Sequence, residues 1–227
     1  MTTPVVVGWS GGKDSALALH ALLADSRYEV VALLTTLTHD FNRIAMHGVR
    51  RELLLQQAEA LGLPLEEVWI HHGAGNDEYE SAMLKSLARF RDQGVTTIAF
   101  GDLFLEDIRA YREQMIDQIE MTSLFPIWGR DSTELADEFV QRGFQARVCC
   151  IDTRVLPDSF CGRDLTAEFF QDLPDEVDPC GENGEFHTFV FDAPDFRQPI
   201  EIVSGEERRD DPFLFRDITT PRRCALV

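Results

Sequence analysis

Basic residues are scarce in this chain: 21 Lys and Arg stand against 40 Asp and Glu, a formal net charge of −19 over 227 residues. Such a surface repels phosphate backbones and no basic stripe offsets it, so nucleic acid is disfavoured as a main partner. Long apolar runs are also missing, and none approaches the ~18–20 residues that a membrane helix needs. The N-terminal MTTPVVVGW has no basic region ahead of its short apolar stretch, so no secretory signal is expected. The five cysteines, Cys149, Cys150, Cys161, Cys180 and Cys224, are an odd number without CxxC spacing. That pattern indicates neither a disulfide framework nor a zinc site. The class left standing is a soluble cytoplasmic protein with no membrane partner.

The apolar content is 44%, enough for a real core, and the length suits one domain with a smaller appendage. Over the first 130 residues, apolar strand-like runs alternate with helical patterns. VVVGW (5–9) precedes DSALALHALLAD (14–25), and EVVALLTTL (29–37) precedes RRELLLQQAEALG (50–62). EEVWI (66–70) and VTTIAFGD (95–102) are followed by helical stretches at 78–94 and 106–121. Strands separated by helices of this length are βαβ units, which predict an α/β fold with a doubly wound parallel sheet of about five strands. Ligands of such a sheet sit beyond the carboxyl ends of its strands. After FPIWGRD (125–131) the texture changes. STELADEFVQRG reads as a helix and QARVCCID as a strand, and a region rich in Pro, Gly and Asp ends in two expected strands, EFHTFVF (185–191) and PIEIV (199–203). Residues 131–227 are therefore expected to form a smaller C-terminal α+β domain closing over the sheet edge.

The loop after the first strand carries the most specific chemistry. A Walker A loop needs GxxxxGK[ST], but Val7 stands five residues before Gly12 and Asp14 follows Lys13. Two requirements fail, and the GxGxxG spacing is absent too. What stands instead is SGGKDS, Ser10, Gly11, Gly12, Lys13, Asp14 and Ser15, between a strand and a helix start. The glycines allow positive φ and close approach to an anion. Successive N–H groups and the helix N-terminus would point at that anion, with the two hydroxyls and the Lys13 charge added. Asp14 is placed either to cap the helix or to help hold Mg²⁺.

Three further clusters fall near the same edge. In FGDLFLEDIRAYRE, Gly101 and Asp102 end an apolar strand, and Arg109 and Arg112 follow at helical spacing on one face. In DPCGENGEFHTF, Glu182, Glu185 and His187 crowd a glycine-rich loop. Glu185 and His187 would share one face if the strand begins there. Two carboxylates and an imidazole can bind an ammonium ion, take its proton or hold Mg²⁺. In AMHGVRR, His47 and Arg50 stand at the start of the second helix, where they would meet a substrate carboxylate or serve as an ordinary capped helix start.

The SGGKDS hexapeptide resembles the pyrophosphate loop of the PP-loop ATP pyrophosphatases. That family splits ATP between the α and β phosphates, transfers AMP to a carbonyl or carboxylate oxygen, and lets a nitrogen or sulfur nucleophile displace it. Taken in order, the loop, GDLFLED…RE, FPIWGR and GENGEFHT look like the diphthine–ammonia ligase family, in a bacterial-type version, across nearly the whole chain. The resemblance implies a PP-loop ATP-binding domain over 1–130 and a substrate-binding, closing domain over 131–227. It implies ATP and Mg²⁺ as cofactors, pyrophosphate on Ser10–Ser15, and Asp102, Glu182, Glu185 and His187 lining the site, with Lys13, Asp14, Glu182 and Glu185 as the catalytic set. The expected partners are ammonia and a carboxylate-bearing acceptor such as an elongation factor 2-like protein, with room left for a homodimer. Three alternatives stay open: a different carboxylate or carbonyl acceptor, sulfur transfer to tRNA, and a nucleotide-binding regulator without catalysis.

Overall fold

A computed structural model describes residues 2–44 and 48–221. The chain opens with β1 (Thr3–Gly8), α1 (Lys13–Leu23), β2 (Tyr28–Thr38), β3 (Arg43–Ile44), α2 (Arg51–Leu61) and β4 (Leu65–Ile70). It continues through α3 (Asn76–Asp92), β5 (Thr97–Ala99), α4 (Glu106–Asp117) and β6 (Thr122–Leu124). Strands β4, β2, β1, β5 and β6 lie side by side in that order, every neighbouring pair parallel. The two-residue β3 runs antiparallel to β2 where Leu37 and Thr38 pair β4 on their other edge. It thus takes the position that β1 vacates after Gly8.

The parallel sheet is covered on both faces, and the alternation of its side chains shows how. On β1, Val5 and Val7 join a core with Leu17, Leu53 and Leu54 of α1 and α2. Val6 instead joins Leu87, Met115 and Ile116 of α3 and α4. A strand whose successive side chains are all buried reads as a continuous apolar run, which is why VVV predicts a central strand so well. The doubly wound sheet expected from the sequence is the one observed.

The second half adds α5 (Ser132–Gln141), β7 (Gln145–Asp152), α6 (Ala167–Gln171), β8 (Phe186–Asp192), β9 (Val203–Asp210) and β10 (Phe213–Thr219). A side-chain cap starts α5, where Asp131 accepts from Thr133 and Glu134 N–H at 2.9 and 3.0 Å. The four strands form an antiparallel sheet in the order β8-β7-β10-β9. Phe139, Phe144, Val148 and Phe189 from this half share the core of the α1–α2 face.

Four strands escape sequence reading, the two-residue β3 and three more. β6 has only three residues, too few to show a period. β9 is an edge strand of charged residues, mostly exposed, as edge strands often are to prevent further pairing. Its partner β10 follows a two-residue turn at Asp211-Pro212. Conversely, PIEIV is not a strand of its own: Ile200 is tied down through its N–H to Phe191 O at 2.7 Å, and only Val203 belongs to a strand, as the first residue of β9.

Asp217 on β10 clasps the far sheet to the first. It accepts from Arg43 Nη1 at 2.8 Å and from Arg50 Nη2 at 2.6 Å. Burial pushes this carboxyl up, but the hydrogen bonds from Arg50 and Arg43 win and hold it below the usual carboxylate range. A depressed carboxyl stabilises the fold above its unfolded pKa and loses that contribution as pH falls through the folded value. Asp217→Asn is therefore expected to cost about 1–2 kcal/mol at neutral pH, measured by denaturant unfolding, with the gap to wild type closing on acidification below the carboxylate range.

Candidate functional site

The carboxyl ends of β1, β2, β4 and β5 open into one cleft of about 850 Å³. Its floor is the loop between β1 and α1. Gly11 has φ +75°, and the hydroxyls knit the turn: Gly12 N–H donates to Ser10 Oγ at 3.2 Å, Ser10 Oγ to Ser15 Oγ at 3.1 Å, and Ser15 Oγ to Gly12 O at 2.9 Å. Gly12 precedes the first helical residue without any side-chain cap, so Asp14 is not the cap. It lies in the first turn, and its carboxylate meets Lys13 Nζ at 2.6 Å. Gly101 closes in from β5. A Cβ there would stand 2.9 Å from the backbone of Asp14, so only glycine permits this approach.

The second sheet completes the loop. Lys13 N–H donates to Thr188 Oγ1 at 3.0 Å, Lys13 Nζ donates to Cys180 O, and Val190 N–H donates to Gly11 O at 2.9 Å. Gln57 on α2 joins the same point: it accepts from the Trp9 indole at 2.8 Å and donates to Gly11 O at 3.0 Å and Val190 O at 2.6 Å. Neither Thr188 nor Gln57 was expected from the sequence. For Gln57 a signal existed, because it occupies the apolar stripe of α2 with Leu53, Leu54 and Ala58, and a polar residue on a buried stripe must find partners.

Lys13 is 2% exposed. Burial opposes its charge most strongly, yet Asp14, Cys180 and Asp178 together hold the ammonium above its ordinary pKa. Burial likewise pushes Asp14 up, against the Lys13 charge. Asp102 is paired with Arg112 at 2.8 Å, and the Arg112 guanidinium lies 4.4 Å from the Phe100 ring. Glu182 accepts from Leu103 N–H at 2.8 Å. Burial pushes this carboxyl up to about 7, with Asp14 and Asp102 adding to the shift. Burial, and then the Lys13 charge, pull His187 down to about 4, so its imidazole is neutral at neutral pH.

The expected residues thus divide. Ser10, Gly12, Lys13, Asp14, Ser15, Gly101, Asp102, Arg112, Glu182 and His187 all line the cleft. Gly11 packs behind the loop, against Gln57 and Leu54. Glu185 precedes β8 and does not line the cleft. Its Oε1 accepts from Asp178 N–H at 3.1 Å and Asn183 Nδ2 at 2.9 Å, bracing the 178–183 loop from behind. Arg50 is taken up by Asp217, and Arg109 by Glu113 at 2.8 Å and the Trp128 ring at 4.8 Å. His47 lies outside the described residues. Among the described residues no three His, Cys, Asp or Glu side chains gather as a metal site. The donor set instead suits a magnesium that arrives with phosphates and takes one or two protein carboxylates, of which Asp14 borders the loop.

Comparison with known proteins identifies the family. Residues 3–123 match the diphthamide synthase N-terminal domain and residues 131–221 the diphthamide synthase C-terminal domain. The chain belongs to the diphthamide synthase family. It is 26% identical to the diphthine–ammonia ligase of Danio rerio, covering 90% of this chain and 89% of that protein. It is 25% identical to the same-named protein of Mus musculus and 24% to that of Homo sapiens, in both cases over 87% of this chain and 82% of the relative.

The Thr188 contact is testable without any ligand. Thr188→Val leaves the buried Lys13 N–H without its acceptor, which is expected to cost about 1–3 kcal/mol. Thr188→Ser should recover most of that loss, both read by denaturant unfolding.

Proposed function

We propose that the chain is an ATP-dependent amide-forming ligase that adenylates a substrate carboxylate, releases pyrophosphate, and couples the acyl group to ammonia. The observation that supports it is the meeting, in one cleft, of the SGGKDS loop with the buried carboxyl of Glu182 at a pKa of about 7. A loop of glycines, hydroxyls and a helix N-terminus stabilises the charge that develops on a departing pyrophosphate. A carboxyl poised near neutrality is suited to moving a proton.

In this reading the acceptor's carboxylate oxygen attacks the α-phosphorus, and the bond to the bridging oxygen of the β-phosphate breaks. Pyrophosphate departs into the Ser10–Ser15 loop and leaves an acyl-adenylate. Ionised Glu182 takes one proton from ammonium. The ammonia nitrogen bonds to the acyl carbon, the bond to the AMP oxygen breaks, and the nitrogen loses its extra proton to solvent water to give the neutral amide. Arg112, Asp102 and neutral His187 line the same cleft. Mg²⁺ would be held by Asp14 together with phosphate oxygens, where it neutralises phosphate charge.

The acceptor we propose is a diphthine-bearing protein, as the relatives' name suggests, with a different carboxylate in its place as the second reading. Sulfur transfer to tRNA has less support. Cys150 and Cys180 are buried thiols pushed up to about 12, whereas a nucleophilic sulfur needs a lowered pKa.

The test is incubation with Mg·ATP, ammonium and diphthine-bearing elongation factor 2, following AMP, pyrophosphate and the factor's mass. Conversion of carboxylate to amide with AMP release is expected. An unchanged factor beside a working ligase control would move the acceptor to another carboxylate, and tight ATP binding without turnover on any acceptor would favour a regulator. Glu182→Gln should keep ATP binding and lose amide formation. At fixed total ammonium, the wild-type rate should rise with pH and level off above about 7, because Glu182 must be ionised to act. A rate that keeps climbing well past that pH would assign the nucleophile to free ammonia and remove Glu182 from the reaction.

A further inference from the structure

Gly11 O receives two donors, the Gln57 carboxamide at 3.0 Å and the Val190 N–H at 2.9 Å. In a trans peptide the carbonyl of one residue and the N–H of the next lie in one plane and point in opposite directions. Holding Gly11 O against α2 and β8 therefore turns the Gly12 N–H the other way, where it donates to Ser10 Oγ at 3.2 Å and where Ser10, Gly12 and Ser15 line the cleft. A Gly-Gly peptide is the least restrained bond in the chain, since neither residue has a Cβ to resist rotation. Flipped, it would present a carbonyl oxygen to an incoming anion, replacing attraction with repulsion.

Gln57 is built to prevent that flip. It is fully buried, and one carboxamide offers one acceptor oxygen and two donor hydrogens. All three are engaged: the oxygen by Trp9, the two hydrogens by Gly11 O and Val190 O. The Trp9 indole, a donor only, settles which end of the amide faces the carbonyls. Leu54 packs beside it; a Cβ on Gly11 would fall 2.8 Å from Gln57 Oε1 and 2.9 Å from Leu54 Cδ2. No other side chain among the described residues donates a hydrogen bond to Gly11 O.

We infer that Gln57 is a positioning residue for the reaction: it locks the Gly11–Gly12 peptide in the anion-binding orientation and ties that orientation to the docking of β8. The inference rests on the loop being a pyrophosphate site, as proposed above. It predicts a selective defect. Loss of Gln57 should weaken ligands that fill the loop and leave those that avoid it nearly untouched, whereas general loosening of the fold would weaken both.

The experiment is calorimetric binding of magnesium pyrophosphate and, separately, AMP to the full chain, comparing wild type with Gln57→Glu and Gln57→Met. Leu53→Ala, on the same helix and fully buried in the same core, serves as the control for lost stability. Glu is nearly isosteric but sets an oxygen against both carbonyls, and Met keeps the volume with no donor. Both are expected to lose about tenfold or more in pyrophosphate affinity, the scale of one lost charge-assisted hydrogen bond, with AMP affinity changed less than about twofold. Leu53→Ala should keep both affinities. Should the Gln57 variants bind pyrophosphate as wild type does, or should losses for both ligands simply follow the melting temperatures of all three variants, the inference is overturned. Wild-type protein that binds AMP but no pyrophosphate overturns the loop assignment itself, and the inference with it.

Discussion

A buried ammonium must be paired, and Lys13 is almost fully enclosed. Its partners are Asp14, one residue along the helix, and the carbonyl of Cys180, which comes from the other half of the chain. An unpaired charge at this depth would cost several kcal/mol, so the 178–188 segment cannot leave the loop without exposing or orphaning Lys13. The backbone contacts from Thr188 and Val190 follow from the same docking. The loop between β1 and α1 is consequently not a feature of the first sheet alone. Its shape exists only where α1, α2 and β8 meet.

The same pairing logic accounts for the electrostatics of the cleft. Three carboxylates face it, Asp14, Asp102 and Glu182, and two of them have cations: Lys13 at 2.6 Å and Arg112 at 2.8 Å. Glu182 has a backbone N–H from Leu103 and, among the described residues, no ion pair. Buried beside two other acids, its carboxyl is pushed up to about 7; burial raises Asp14 as well, despite Lys13. Burial and like charge raise a carboxyl, while a cation or several hydrogen bonds lower it. The chain's large negative charge matters little here, because screening confines surface charges to about 8–10 Å in ordinary salt. The local ratio of acids to bases inside the cleft decides which group can titrate.

Much of this architecture was legible in the amino-acid order. VVV followed by SGGKDS and a helix states a buried strand, a tight turn and a helix start in one line, because hydrophobic period, glycine freedom and helix onset are all local properties. The alternation of strands and helices gave the doubly wound sheet for the same reason. GENGEFHT could be seen as a functional loop, but its two glutamates could not be told apart. Their spacing suggested that Glu185 and His187 share a face. The strand begins one residue later, at Phe186; Glu182 lines the cleft, whereas Glu185 holds Asp178 N–H and the Asn183 side chain and braces the loop.

What the sequence determined by itself were the elements whose periodicity lies within a dozen residues and the hexapeptide whose chemistry is carried by residue type. What only the tertiary structure decided were contacts between residues far apart in the chain. Gln57 looks like a misplaced polar residue on an apolar helix until Val190 and Trp9 arrive beside it. Arg50 looks available for a substrate until Asp217 claims it, and β9 shows no strand pattern because its order comes from pairing with β10. A side chain's partners depend on where the fold closes, and closure is set by the summed burial of both cores rather than by any local pattern.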